Sequence, residues 1–349
     1  MQTNKIKELS IYLSQGNKFQ SIKKGNMKKI AMITLLLLNH FSIFAQNIPN
    51  FQRPNFLQKD SIKSSLDANV QVFYYYKSTK LKPKPLVVQL HSWSNGADSL
   101  KTAFLAPEAK NKDWNYIFPN FRGINNHVKA CCSEFVISDI DEAIDWALKN
   151  MNVDLKQIYV AGVSGGGYAT LAMYMKSRHK ISGFSAWASI SDLSAWYYES
   201  VERKNKYATE IIKCTDAGER IDEQKARNRS PLYWKTPVKK RRNSNLQIYA
   251  GIHDGYTGSV PISQSVDFYN KLLLDAKEQD LKKFISEQDK SILIKTQSFI
   301  NKKKYKPLGD RAIVYQKTSK MISLTIFEGT HEMLNKVVLN LIAKKLIGK

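Results

Sequence analysis

Ser164 sits in Gly162-Val163-Ser164-Gly165-Gly166, between the apolar run QIYVAGVS (157 to 164) and the helical stretch GGGYATLAMYMKSR (165 to 178). A serine on a sharp strand-to-helix turn stands exposed above a sheet, and small flanking residues let that turn approach its neighbours. A phosphate-cradling glycine loop would need a Gly-Lys-Ser/Thr ending, which is missing here. The expected chemistry is nucleophilic attack by the serine hydroxyl. Such a hydroxyl is weak near neutral pH and needs a base, which in turn needs a partner to orient it.

The downstream candidates are few. His331, in FEGTHEML between the last apolar strand and the final helix, is the only histidine after residue 253 and is the expected base. Asp254 ends the strand NLQIYAGIHD and is the preferred orienting carboxylate, with Asp192, one strand earlier, as its competitor. His253 reads as a structural neighbour. Two backbone donors should face the developing oxyanion, Gly165 N–H after the nucleophile and Trp93 N–H in the loop Leu90-His91-Ser92-Trp93-Ser94-Asn95-Gly96. His91 is expected to brace that loop on the substrate side.

These residues need a sheet to hold them. Between residues 70 and 320 short β-branched or aromatic runs alternate with helical patterns, which predicts an α/β fold with a mostly parallel central sheet flanked by helices. Strands are expected at 70–79, 85–92, 115–121, 157–164, 183–191, 245–254 and 321–329, and helices at 137–150, 165–178, 262–277 and 333–346. Two stretches break the alternation. Residues 192–244 carry Trp196, Tyr197, Tyr198, Tyr233 and Trp234 and read as an aromatic-rich cap over the site. Residues 278–320 read as a peripheral insertion.

The chain has 349 residues and a formal charge of +24, with 43% hydrophobic and 24% charged residues, a globular composition. Seven lysines against Glu8 place six of those charges in residues 1–45, so the rest keeps about +18. From Met27, Lys28 and Lys29 precede an apolar core at Ile30 to Leu38 and a small residue at Ala45, the pattern of a secretory signal over 27–45. Nine apolar residues are about half of the ~20 needed to span a bilayer, so no permanent membrane span is expected. The expected organisation is an extension and signal over 1–45, followed by one catalytic domain over 46–349, exported to a periplasmic or secreted location.

Export would expose Cys131, Cys132 and Cys214 to oxidation. A bridge from Cys214 to Cys131 or Cys132 would pin the cap to the site rim; a bond between the adjacent pair, or three buried thiols, are the alternatives. No ligand at zinc spacing accompanies them, so neither a metal nor another cofactor is expected. VKKRR (238–242) and KKKYK (302–306) carry no nucleic-acid-binding motif and read as solvated faces, with an anionic polysaccharide or cell surface the better match to their charge.

With LHSWSNG (90–96), FPNFRG (118–123), DIDEAIDW (139–146), GVSGGG (162–167), AGIHDGYTGSVP (250–261) and FEGTHE (327–332) in place, the chain from about 60 to 345 resembles the α/β-hydrolase superfamily. Within it the likeness is to the prolyl-oligopeptidase-like branch, which includes many secreted carbohydrate esterases. By that resemblance the PNFRG phrase lines the cleft and Arg122 contacts substrate. Ser92 departs from the usual glycine of the oxyanion loop. The true oligopeptidases of the branch carry a β-propeller, and the roughly forty residues between the signal and the third strand leave no room for one.

Trp196 and Tyr197 of the cap are further candidates for substrate contact, as flat rings against sugar faces. The expected function is therefore a serine esterase that removes acetyl or other short acyl groups from an acylated carbohydrate or other small ester. An exopeptidase is the alternative, and a catalytically idle binding module is the third reading.

Overall fold

In the computed structural model the described residues are 54–300 and 304–344, all within the unit Arg53–Lys349. The expected signal at 27–45 and part of the KKKYK run lie outside them. A nine-stranded sheet forms the centre: β1 (Gln58–Lys63), β2 (Val70–Tyr76), β3 (Lys84–Leu90), β4 (Asn115–Pro119), β5 (Val153–Val163), β6 (Gly183–Trp187), β7 (Asn245–Gly251), β8 (Ile313–Ser319) and β9 (Ile322–Phe327). Their spatial order is β1-β2-β4-β3-β5-β6-β7-β9-β8. The strands from β4 to β9 in that order pair in parallel, while β1/β2, β2/β4 and β8/β9 are antiparallel.

Both faces of the sheet are covered, so its inner strands are buried at nearly every position rather than on alternate ones. Leu86, Val88, Val160, Phe184, Ile248 and Leu324 pack into one core. Their neighbours Val87, Tyr159, Ala161, Trp187, Tyr249 and Phe327 pack into the other.

The helices are α1 (Ala106–Asn111), α2 (Glu134–Asn150), α3 (Gly165–Lys176), α4 (Leu193–Glu202), α5 (Tyr207–Thr215), α6 (Glu223–Asn228), α7 (Val238–Arg241), α8 (Ser263–Asp275), α9 (Glu287–Thr296) and α10 (Asn335–Ile342). Helix α2 starts where Ser133 Oγ accepts the Val136 N–H, and it buries Val136, Ile140, Ile144 and Ala147 at helical spacing. Helix α3 is apolar all round because it is buried along almost its whole length. The 192–244 segment folds into α4 to α7. Residues 278–320 are not featureless: they contain α9 and end in β8, an added sheet edge. No helix among the described residues is long and apolar enough to cross a membrane.

Two strands escaped the sequence reading, β1 and β8. QKDSIK of β1 is exposed at nearly every position, so no periodic apolar face announces it. It exists because Gln58 to Lys63 pair with Val70 to Tyr75.

Candidate active site

The loops that follow β3, β5, β7 and β9 meet at the carboxyl ends of the parallel strands, where open α/β sheets place their ligands. Ser164 closes β5 with φ +59° and ψ −122°, a strained conformation for a non-glycine residue. Its N–H donates to Trp187 O at 2.9 Å, which fixes the turn against β6. A Cβ at Gly165 would lie 2.2 Å from Trp93 N, so only glycine lets the loop after β3 come this close. That approach brings the Trp93 and Gly165 backbone amides together beside Ser164. Among the described residues no protein acceptor takes the Trp93 N–H.

His331 Nδ1 donates to Asp254 Oδ2 at 2.8 Å. Asp254 is fully enclosed, and its Oδ1 accepts the N–H groups of Gly255 (2.9 Å) and Val260 (3.0 Å). The carboxylate is thus held by three donors and holds one imidazole tautomer, with Nε2 left to exchange a proton. Asp192 is engaged elsewhere. It caps α4 by accepting the Ser194 and Ala195 N–H groups, and it receives the Tyr233 hydroxyl at 2.7 Å.

Ser164 and His331 line one cavity of about 420 Å³. No hydrogen bond joins the two side chains in this structure, as is common before substrate tightens such a site. The apolar wall is Phe104, Val163, Tyr207 and Met333, and Ser94, Asn95 and Asn335 supply polar atoms. Asn335 Oδ1 is buried without a partner. Among the described residues no cluster of three His, Cys, Asp or Glu side chains could hold a metal.

Other expected site residues lie elsewhere. Arg122 does not face the cavity. Its side chain is 3% exposed, with Nε 2.5 Å from Asp139, Nη1 2.7 Å from Asp67 and Nη2 2.7 Å from Ser64 Oγ. A buried guanidinium needs carboxylates around it, and the positive φ of Phe121 and Arg122 turns the chain so that the side chain points to them. The PNFRG phrase instead supports the loop after β3, since Asn120 Oδ1 accepts the Ala97 N–H at 3.0 Å.

His91 is buried, with Nε2 2.7 Å from Asn120 O and Nδ1 3.0 Å from Ser92 O. Burial lowers its pKa from the usual value, against the two carbonyl contacts that raise it; it braces the loop and does not line the cavity. Trp196 is 1% exposed, its Nε1 donating to Ser259 O at 2.8 Å, and Tyr197 packs edge-on against Tyr198. Neither lines the cavity; the cap contributes Tyr207 instead, one turn before Ile211 on the apolar side of α5.

Cys214 is bridged to Cys131, and Cys132 is a buried free thiol whose pKa burial pushes up to about 12. His253 is raised by its contacts with Gln297 and Glu328 and forms a surface pair with Glu328. Gly258 lies within AGIHDGYTGSVP, where the sequence alone assigns it no role. A Cβ there would lie 2.2 Å from Asp254 Oδ1 and 2.6 Å from His331 Cβ.

A profile of the prolyl oligopeptidase family matches residues 107–297. No curated protein matches the chain in sequence. Among solved structures, a puromycin-hydrolyzing peptidase of Mycobacterium tuberculosis superposes with a TM-score of 0.50 at 16% identity, over 66% of this chain and 35% of that one. Pyrococcus horikoshii acylaminoacyl peptidase gives 0.47 at 16% identity, over 65% and 36%. Prolyl oligopeptidase B from Galerina marginata gives 0.48 at 15% identity, over 63% and 31%. The chain therefore spans about a third of the length of these proteins. The family match overturns the expected carbohydrate esterase, because the matched family is one of peptidases.

Proposed function

Since the chain belongs to the prolyl oligopeptidase family of serine hydrolases, we propose that it is a serine exopeptidase that cleaves an amide near the end of a short peptide through an acyl-serine intermediate. The observation that carries this reading is the Asp254–His331 hydrogen bond facing the cavity that Ser164 enters. Ser164 Oγ attacks the scissile carbonyl as His331 Nε2 takes its proton. Asp254 keeps Nδ1 protonated and stabilises the imidazolium. The new oxyanion is received by the Trp93 and Gly165 N–H groups. His331 then gives its proton to the leaving amine, and water, activated by the same imidazole, releases the acyl group. A cavity of about 420 Å³ lies near the small end of ligand pockets, roughly 300–1,000 Å³, and suits a chain end. Export is part of the same proposal, supported by the basic-then-apolar run from Lys28 and by the Cys131–Cys214 bridge.

The test is a panel of aminoacyl, N-acylaminoacyl and dipeptidyl p-nitroanilides, assayed beside fluorophosphonate labelling. Labelling at Ser164 and amide turnover that disappears in Ser164→Ala support the reading. Labelling without turnover of any amide would overturn the peptidase assignment, and no labelling would overturn the nucleophile.

A further inference from the structure

We infer that Glu210 is a positioning residue for the oxyanion donor Trp93, set on a helix that the Cys131–Cys214 bond ties back to the same tryptophan. The inference rests on the hydrolase site proposed above and adds what holds that site in register. Trp93 is buried among Trp196, Tyr207 and Tyr168, at centroid distances of 4.8, 6.3 and 6.0 Å. Apolar packing of this kind fills space but is non-directional. Direction comes from two hydrogen bonds on opposite parts of the residue. The indole Nε1 donates to Glu210 Oε2 at 2.7 Å, and the Asn125 N–H donates to Trp93 O at 2.9 Å.

These two bonds belong to one closed ring. Asn125 Oδ1 accepts the Cys131 N–H at 2.7 Å. Cys131 is bonded to Cys214, which lies four residues after Glu210 and on the same face of α5. The circuit runs from Trp93 O through Asn125, Cys131, Cys214 and Glu210 back to the Trp93 indole. Lys206, one turn before Glu210, donates to Glu210 Oε1 at 3.0 Å and to Ser94 Oγ at 2.8 Å, so the next residue of the loop is also held by α5. Ser92 Oγ donates to Val163 O at 3.1 Å, anchoring the preceding residue to β5 beside the nucleophile. With residues 92, 93 and 94 each tied, the Trp93 N–H has little freedom to turn. A charged acceptor that is 13% exposed gives a stronger and more directional bond than a neutral one. Glu210 does not line the cavity; it acts through the Trp93 indole and, by way of Lys206, on Ser94.

The test uses p-nitrophenyl acetate, an activated ester open to attack by the serine whatever the physiological substrate. Active sites are counted by fluorophosphonate titration, and Tm is recorded for each variant. Glu210→Leu should lower kcat per titrated site roughly 10- to 100-fold, as for a misdirected oxyanion donor, with KM within about twofold. Glu210→Gln, whose amide oxygen can still accept the indole N–H, should recover most of the loss. Trp93→Phe should share the part of this loss that depends on the indole bond, and the losses in the double variant should be less than additive, since both substitutions remove that bond. Cys214→Ser, which opens the ring, should lower kcat in the same direction while leaving Ser164 titratable. Wild-type kcat in Glu210→Leu, or fully additive losses in the double variant, would overturn the inference while Ser164 still labels. Failure of Ser164 to label in the wild-type protein would overturn the site itself and the inference with it.

Discussion

Replacing Gly258 by alanine adds one methyl group between the two members of the acid–base pair. The new Cβ would stand 2.2 Å from Asp254 Oδ1 and 2.6 Å from His331 Cβ, against an ordinary contact of at least 3.4 Å. The carboxylate would have to yield by about 1.2 Å and the histidine by about 0.8 Å. Neither the acid nor the loop can retreat cheaply. Asp254 is pinned by the Gly255 and Val260 N–H groups, and the loop is held from the cap side by Trp196 on Ser259 O and Arg203 on Gly258 O. The 2.8 Å His331–Asp254 bond should therefore open.

A misplacement of about 1 Å costs on the order of 10²-fold, and loss of the oriented tautomer up to about 10⁴-fold. We expect kcat to fall within that range, with an overpacking cost of about 1–3 kcal/mol in stability. The assay is steady-state kinetics on the reporter ester together with the rate of fluorophosphonate labelling and a thermal melt. In the Ser164→Ala background the substitution should cost almost nothing further, because the dyad then has no nucleophile to serve. A folded Gly258→Ala protein with activity within about threefold of wild type would refute the packing argument.

Asp254→Asn should lower kcat by roughly 10⁴-fold, whereas Asp192→Asn, still able to cap α4, should stay within about threefold in kcat and Asp192→Ala should lose about 1 kcal/mol of stability in a denaturant titration; reversed effects would move the acid to the end of β6. Arg122→Met should destabilise by about 3–5 kcal/mol because Asp139, with no side-chain exposure, is left unpaired, and KM of the folded fraction should not change. A raised KM there would return Arg122 to the substrate. Burial raises the Glu199 carboxyl to about 7 from an ordinary 4.5. The fold therefore binds this proton more tightly than the unfolded chain does, and stability falls as pH rises through about 4.5 to 7. Glu199→Gln should match wild type in Tm at pH 4 and exceed it at pH 8.5 by roughly 2–6 °C, for about 1–3 kcal/mol; equal melts at both values would show that the carboxyl ionises freely.

What the sequence determines about this protein is what local backbone geometry demands. A serine flanked by small residues between a buried strand and a buried helix has few alternatives, so Ser164 stands out in the sequence; the mostly parallel sheet is readable there too, from short β-branched or aromatic runs alternating with helical stretches. His331 and Asp254 are singled out by the sequence because each follows an apolar run, and the structure sets them in the loops after β9 and β7. Sequence alone leaves Asp254 and Asp192 in competition, since each follows an apolar run; Asp192 is committed to the N–H groups of α4 and to Tyr233, an engagement set partly by a residue 41 positions away. Long-range pairing also decided Arg122, whose carboxylates come from residues 67 and 139, and it decided the edge strand β1, which has register but no apolar pattern. The aromatic cap misdirects the reading of substrate class: Trp196 is buried, Tyr198 and Tyr233 are about half exposed, none of the five rings lines the cavity, and the cap places Tyr207 there instead. Gly258 sits within the phrase AGIHDGYTGSVP, which gives it no role of its own, and Glu210 lies in no motif. Their roles depend on atoms brought within 3 Å by segments 73 and 117 residues distant, His331 and Trp93, and such closeness is a property of the packed chain rather than of any window along it.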